Sequence, residues 1–421
     1  MLNRKVGAEI MLWIKLGWRN LWRNRRRSLI ELTSIAGSIC IAVFARNLTA
    51  GMLEQVVDDG VRMGSGHIGL YRSRYLELRK TEQTLESEEL VSALERESVV
   101  AAVYPRLHVP ALIRSSRDSR STMILGLDFH REKDSNPILD AKRISAGVLP
   151  TDDDERGALM GEILADELGL GVGKKFVVMV QDLDGEIVSR LFKISGLIRT
   201  NARMIDAGTI IVPRKVLGDV IGQTDGAHEI AVMLRSHKQI KETLPRLREI
   251  ARSQSDVDAY PWEDAMPEML NFMKMKYSGL NVIVLFLYVI VGIGTINTLL
   301  MSVMERVREF GVIRAIGLSK RHMKKIVFSE AVVLAVTGVT AGIIIACIGG
   351  LYTSTFGIDY STVIQDQGIG GSLIDPVIYS GWEPVYMGVF GVAMIAITLV
   401  ASLYPAYYVL KINPAAEMRT Y

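Results

Sequence analysis

Gly279–Met304, GLNVIVLFLYVIVGIGTINTLLMSVM, runs for 26 residues without a charge. A helix needs about 20 apolar residues to cross a hydrocarbon layer of roughly 30 Å, so this stretch reads as a membrane span. Three others read the same way: Leu29–Leu48, Ile326–Gly350 and Val385–Tyr408. One span precedes the polar block between Gly51 and Phe272, and three follow it. The expected fold class is therefore an α-helical membrane protein with four transmembrane helices, one plus three, and a large extracytoplasmic domain.

The charges give the sidedness. Arg4, Lys5, Lys15, Arg19, Arg23, Arg25, Arg26 and Arg27 precede the first span, opposed only by Glu9. Arg306, Arg308, Arg314, Lys320, Arg321, Lys324 and Lys325 fill the second connection, against Glu305 and Glu309. The connection Leu351–Pro384 holds no Lys or Arg, but has Asp359, Asp366, Asp375 and Glu383. Lys and Arg beside spans are retained inside, which places both termini and the second connection in the cytoplasm. The net charge of +3 is small and gathered at these edges, so it is a topology signal and no footprint for nucleic acid. Mean hydropathy of +0.23 suits a chain that is part membrane, part soluble domain. Cys40 and Cys347, the only cysteines, fall in spans, so the outer domain must be held by its own core. The basic leader of 28 residues is long for a signal peptide, and the first span is read as an uncleaved anchor.

These signals divide the chain into a cytoplasmic amphipathic or elbow helix (1–28), a first span (29–52) and a periplasmic domain (53–272). A second span (273–304), a coupling helix and loop (305–325), a third span (326–350), an outer loop (351–384), a fourth span (385–410) and a tail (411–421) follow. In Met11–Arg27, Leu12, Trp13, Leu16, Trp18, Leu21 and Trp22 give an apolar face opposite the arginines, as in a helix lying at the interface. The outer block reads as mixed α/β. Ile68–Tyr71, Val99–Val103, Ser121–Leu127, Phe176–Val180 and Ile187–Ile194 are β-like, with Asp184-Gly185 a hairpin signal. Glu162–Leu168 and Gln239–Gln254 read as helices, the second weakened by Pro245. Two lobes are expected, a mostly-β insertion at 144–222 and a membrane-proximal lobe from 53–143 and 223–270.

Several chemistries have no visible basis. No GxxxxGK[ST] loop occurs. The six histidines, His67, His108, His130, His228, His237 and His322, show no metal-ligand spacing. Neither GxSxG nor HExxH is present, and the acidic run Asp152–Glu155 reads as solvated loop. Nothing catalytic is expected of this chain, and no cofactor or metal.

The second connection reads MERVREFGVIRAIGLSKRH over Met304–His322. As a short helix it offers Val307, Ile313 and Ile316 to a partner's groove. Glu305, Glu309 and Arg314 would fix register through charged hydrogen bonds. Gly311 and Gly317 permit close approach or a sharp exit. This stretch resembles the signature "ERxxEIGxxRAIGxS" of the ABC-transporter permeases related to MacB, LolC/LolE and FtsX. Glu305, Arg306, Glu309, Gly311, Arg314, Ala315, Gly317 and Ser319 match it, with Phe310 in place of Ile and Glu330 at the later Glu. The ending, Tyr404-Pro405-Ala406 then Asn413-Pro414-Ala415, is similar too. The resemblance implies ATPase coupling through Glu305, Arg306, Glu309, Gly311, Arg314 and Gly317. It also implies an ABC ATPase dimer that binds ATP and Mg, and a second permease copy or paralogue. The outer domain, with GALMGEILADELGLGVGKKF from Gly157, resembles the porter-plus-Sabre domain of MacB and LolC/LolE.

The length and Gly66-His67-Ile68 look most like the lipoprotein-releasing branch. That branch implies mechanotransmission from an inner membrane to a periplasmic carrier. MacB-type efflux with a membrane-fusion adaptor and an FtsX-like regulator of a cell-wall hydrolase stay open as alternatives. In the spans, Gly338 and Gly342, and Ser34 and Ser38, stand at the four-residue spacing that lets helices pack closely. Glu31 and Arg46 lie near span ends, where snorkelling to water is expected.

Overall fold

The computed structural model describes residue 11 and residues 15–200, 202–317, 319–360 and 377–411. Leu12, Trp13, Asp366, Asp375 and Asn413-Pro414-Ala415 lie outside the described residues. The described residues form two compact units, one within Met1–Met52, Met275–Ile358 and Ile378–Tyr421, the other within Leu53–Lys274 and Asp359–Val377.

The first unit is helical. Four helices, Lys15–Met63, Pro267–Glu305, Lys320–Phe356 and Pro384–Leu410, are long and apolar enough to be membrane spans. The first contains a 3₁₀ turn at Trp22–Asn24 and continues as α1 (Arg25–Met63). The leader expected to lie flat as a separate element is thus the start of the first long helix. Leu21 is buried, Trp18 and Trp22 are exposed, and a Cβ on Gly17 would stand 2.8 Å from the Ser329 carbonyl oxygen. Ile35, Ile39 and Val43 of α1 meet Val284, Tyr288 and Val291 of the second long helix, Leu334 and Val339 of the third, and Phe390 and Met394 of the fourth.

In the α/β unit ten strands join one sheet: β1 (Ile68–Arg72), β2 (Val100–Arg114), β3 (Ser119–Leu127), β4 (Ile144–Gly147), β5 (Gly157–Gly161), β6 (Lys175–Gln181), β7 (Ile187–Ile198), β8 (Thr209–Pro213), β9 (Glu229–Leu234) and β10 (Val257–Pro261). The β-like runs of the sequence lie in these strands, Val99 apart. Gly185, at φ +88°, makes the β6–β7 turn, with the Asp182 carboxylate accepting from the amides of Asp184 and Glu186. The strand order is β10-β1-β9-β2-β3-β8-β5-β7-β4, and β6 bridges β2 and β7. The path β2-β3-β8-β5-β7-β6 therefore returns to β2, a closed six-stranded barrel that leaves none of its members an open edge.

Side-chain alternation fills the barrel. Leu107, Val109, Ala111 and Ile113 of β2, Phe176, Val178 and Val180 of β6, Phe192 and Ile194 of β7, and Ile210 and Val212 of β8 form its core. Helices α2 (Ser87–Glu95), α3 (Glu162–Leu168), α4 (Arg214–Ile221) and α5 (Ile240–Ala251) complete the unit. The last accommodates Pro245 in its interior. α3 and α4 join the barrel core through Leu164, Leu168, Leu217 and Ile221. α2 and α5 cover the open sheet β10-β1-β9, with Leu90, Leu94, Leu247, Ile68, Val232 and Val103 in a second core. At about 1.5–3 kcal/mol per buried large side chain, each core is substantial by itself.

The lobe boundary falls elsewhere than expected from the sequence. The barrel takes in Leu107–Leu127 as well as the 144–222 segment, because β6 and β8 need β2 and β3 as neighbours. β2 is continuous through the division: Val100 and Val103 serve one core, Leu107 onward the other. The acidic run is also less free than a solvated loop. Asp152 accepts from the Phe129 and His130 amides at 2.9 Å each, and Asp154 from Gly157 at 2.9 Å.

Candidate functional site

The long helix α6 (Pro267–Glu305) stops at Glu305, where Arg306 turns out of helical geometry at φ −109°, ψ 10°. The short α7 (Val307–Ala315) follows, Gly317 at φ +104° ends it, and Ser319 precedes α8 (Lys320–Phe356). A residue with a Cβ is strained at that positive φ, which accounts for the second glycine of the motif. An added Cβ at Gly311, by contrast, would meet nothing within 4 Å among the described residues.

Phe310 seats α7. Its ring is 1 % exposed and joins Val303, Met323, Val327, Ala406 and Val409, with Val307 partly buried beside it. The Arg306 guanidinium lies 5.3 Å from the ring centroid. Ala406 brings the Tyr-Pro-Ala ending of α9 (Pro384–Lys411) into this seat. Ile316, read from the sequence as offered to a partner, is 82 % exposed, and Val312 is 47 % exposed. The Ile313 side chain lies outside the described set. With exposed Arg308, Val312 and Ile316 make a stripe at four-residue spacing along one face.

Glu305 and Glu309, about half exposed, pair with cations of the same chain. Arg23 meets Glu309 at 2.9 Å, and Arg27 meets Glu305 at 3.2 Å, with Asn24 donating to Glu305 at 3.4 Å. Arg306 joins Glu309 at 3.3 Å and Glu330 at 3.4 Å, and Ser302 donates to Glu330 at 3.5 Å. Hydrogen bonding from Arg23, then from Arg306, holds the Glu309 carboxyl below its ordinary value against a small cost of burial. The Arg23 and Glu309 side chains are about half exposed, so the pair is worth roughly 0–1 kcal/mol. Its effect is on position: it ties α7 to the residues just before α1. Arg314 lies in the last turn of α7, where a cation suits the helix C-terminus. Of the six expected coupling residues the structure thus brings Glu305, Arg306 and Glu309 into one ionic cluster. Gly311 and Gly317 carry no charge to add to it.

The small residues divide likewise. A Cβ on Gly338 would lie 2.7 Å from Ile35, and one on Gly342 2.5 Å from the Ala36 carbonyl oxygen, so α8 and α1 meet backbone to backbone there. The facing residues of α1 are Ile35, Ala36 and Ile39. Ser34 is exposed and Ser38 half-buried, which removes Ser34 from that contact.

Two buried charges correct the snorkelling expectation. Glu31 is 3 % exposed and accepts a hydrogen bond from Thr295 of α6. Arg46 is 4 % exposed, its guanidinium 3.8 Å from the ring centroids of both Tyr277 and Tyr386, and it is paired with Glu383. Asn47 Oδ1 accepts from the Glu383 amide at 3.3 Å. Buried polar groups survive where they are partnered: Glu31 is hydrogen-bonded to α6, and Arg46 is paired with Glu383, just before α9, and lies over rings of α6 and α9. Among the described residues no group of three or more His, Cys, Asp or Glu is placed to hold a metal.

Residues 32–250 match the MacB-like periplasmic core domain family, and residues 281–414 the FtsX-like permease C-terminal family. The pyoverdine export ATP-binding/permease protein PvdT of Pseudomonas putida is 23% identical over 362 residues, covering 82% of this chain and 52% of PvdT. The macrolide export ATP-binding/permease protein MacB of Campylobacter jejuni is 22% identical over 373 residues, covering 83% of this chain and 55% of MacB. The lipoprotein-releasing system transmembrane protein LolC of Xylella fastidiosa is 20% identical over 332 residues, covering 76% of this chain and 78% of LolC. The chain spans about half the length of PvdT and MacB.

Proposed function

The chain belongs to the ABC-transporter permease family that joins a MacB-like periplasmic core domain to an FtsX-like permease domain, and from that premise we propose how it works. It is the membrane subunit of a mechanical transporter in a bacterial inner membrane. Its termini are cytoplasmic and its α/β unit is periplasmic. An ABC ATPase dimer, which supplies ATP and Mg binding, docks on the Arg308–Val312–Ile316 face of α7, and a second permease copy or paralogue completes the assembly. The observation that carries this reading is α7 itself: anchored from behind by Phe310, it leaves two apolar side chains outward. A soluble ATPase surface would cover that face.

Movement imposed on α7 passes by two routes. Directly, α7 pulls on α6 through Arg306; laterally, the Arg23–Glu309 and Arg27–Glu305 pairs carry it to the start of α1. The transported species is a lipoprotein lifted from the outer leaflet and handed to a periplasmic carrier, a reading supported by the likeness to LolC over most of both chains. The likeness to MacB and PvdT supports a second reading, export through a membrane-fusion adaptor.

Purification from the native membrane in mild detergent, with mass spectrometry of everything retained, tests both readings. An ATPase with lipoproteins supports release; an ATPase with an adaptor supports export. Recovery without an ATPase refutes the proposal. Ile316→Glu should release the ATPase while the helices stay folded, and full retention would refute the docking face.

A further inference from the structure

Arg106 is the largest fully buried side chain among the described residues, and every direction of its guanidinium is used. Its Nε lies 3.1 Å from both carboxylate oxygens of Glu132, and Nη2 lies 2.6 Å from Oε2. Nη2 also donates to the Arg62 carbonyl oxygen at 2.5 Å, and Nη1 donates to that of Gly64. Glu229 stands 3.7 Å from Nη1, and its other oxygen accepts from Tyr71 at 2.6 Å. Asn136 donates to Glu132 at 2.7 Å.

These partners belong to different elements. Arg62 is in the last turn of α1 and Gly64 directly follows the helix, where helical carbonyls lack intrahelical donors and a cation is favoured. Arg106 lies on β2 between the two cores, Glu132 on the turn after β3, Glu229 on β9 and Tyr71 on β1. The exit from α1 is tight as well. Gly66, at φ +69°, bridges to Val232, and a Cβ there would lie 2.6 Å from the Val232 nitrogen. His67 Nδ1 accepts from the Leu234 amide at 2.9 Å.

Stability alone does not account for such a cluster, since apolar side chains of similar volume commonly replace a buried ion network at no loss. A planar fork with fixed donor directions imposes geometry. We propose that Arg106 is a positioning residue, a rigid joint that fastens the end of α1 to both lobes of the α/β unit so that they move as one body. In transport, which rests on the permease reading above, this joint turns displacement of α1 into displacement of the outer unit. Lysine cannot serve there: one ammonium cannot reach the carboxylate and both carbonyls in the same plane.

The test uses the full-length chain in lipid nanodiscs, with spin labels at exposed Glu54 on α1 and Ser189 on β7 and with Cys40 and Cys347 replaced. The wild-type distance distribution should be narrow. Arg106→Lys, and separately Arg106→Met with Glu132→Leu, should broaden it about twofold, with the sheet still folded by circular dichroism. In the complex with its ATPase, the nucleotide-dependent shift of the Ser189 label should fall about threefold in Arg106→Lys while basal ATP hydrolysis persists. A lower melting temperature with no broadening would reduce Arg106 to a structural ion pair and overturn the proposal. Unchanged width with an unchanged shift would overturn it too. A wild-type complex that shows no nucleotide-dependent shift contradicts the permease reading instead, and the width in nanodiscs still decides the joint.

Discussion

Acidification should weaken the α/β unit between pH 7 and pH 5, chiefly through His228. Its ring is fully buried, stacked on Tyr75 with centroids 5.2 Å apart. Nδ1 accepts from the His108 amide at 3.2 Å, and Nε2 lies 2.9 Å from the Thr81 carbonyl oxygen. These partners define a neutral ring that carries its proton on Nε2. A second proton on Nδ1 would face an N–H group and break that bond. Burial pushes the ring from 6.5 down to about 4, although the bond to Thr81 opposes the shift. Between those values the unfolded chain binds a proton that the folded chain refuses, so stability falls as pH falls. Two-state linkage gives a loss of about 2 kcal/mol from pH 7 to pH 5.

Glu229 does not blur this window. Burial alone would raise its carboxyl, but His108, Arg106 and the Tyr71 hydroxyl together hold it near 2, so its contribution is lost only below the ordinary carboxylate range. His67, also lowered by burial, adds in the same direction as His228. The assay is hydrogen exchange of the Ile230 and Val232 amides in the full chain, corrected for the intrinsic pH dependence of exchange. Wild type should lose protection on acidification, and His228→Gln should lose about 2 kcal/mol less. Equal losses in the two proteins would refute the reasoning.

Other expectations concern the helices. Gly342→Val drives a side chain into the Ala36 carbonyl and should cost about 1–3 kcal/mol in detergent melts, whereas Ser34→Val, on an exposed face, should leave the melt unchanged. Arg46→Met deprives Glu383 of its cation and two rings of theirs; a loss of about 2 kcal/mol is expected by the same measurement. Arg23→Glu should change stability by less than about 1 kcal/mol yet lower ATP-driven transport, and adding Glu309→Arg should restore it. Failure of the reversed pair to rescue would remove the tie between α7 and α1 from the mechanism.

The spans were legible because each is a local property: a run of apolar residues with charge massed at its ends needs no knowledge of neighbours. The Asp184-Gly185 turn and helix α3 were legible for the same reason. What escaped notice depends on pairs far apart in the chain. Arg46 meets Glu383, and Arg106 meets Gly64 and Glu132, and no spacing rule joins such positions. The barrel was hidden because its closure recruits β2 and β3 from outside the segment that looked self-contained. Within the motif, the pattern gave the residue types but not their orientation. Glu305 and Glu309, read as addressed to a partner, pair with Arg27 and Arg23; Val307, read the same way, packs against its own chain, while Ile316 is exposed.

The pairing of β1 bears on the order in which the nascent chain acquires its shape. β1 lies between β9 and β10, with Ile68 opposite Val232 on one side and Pro261 on the other. The ribosome must add some 160 residues after β1 before either neighbour exists, while every strand of the barrel is complete by Pro213. The barrel can close during synthesis, but β1 must wait with both edges bare, the condition in which strands pair wrongly. Slowing translation between β1 and β10 lengthens that wait and should raise the yield of misassembled chains.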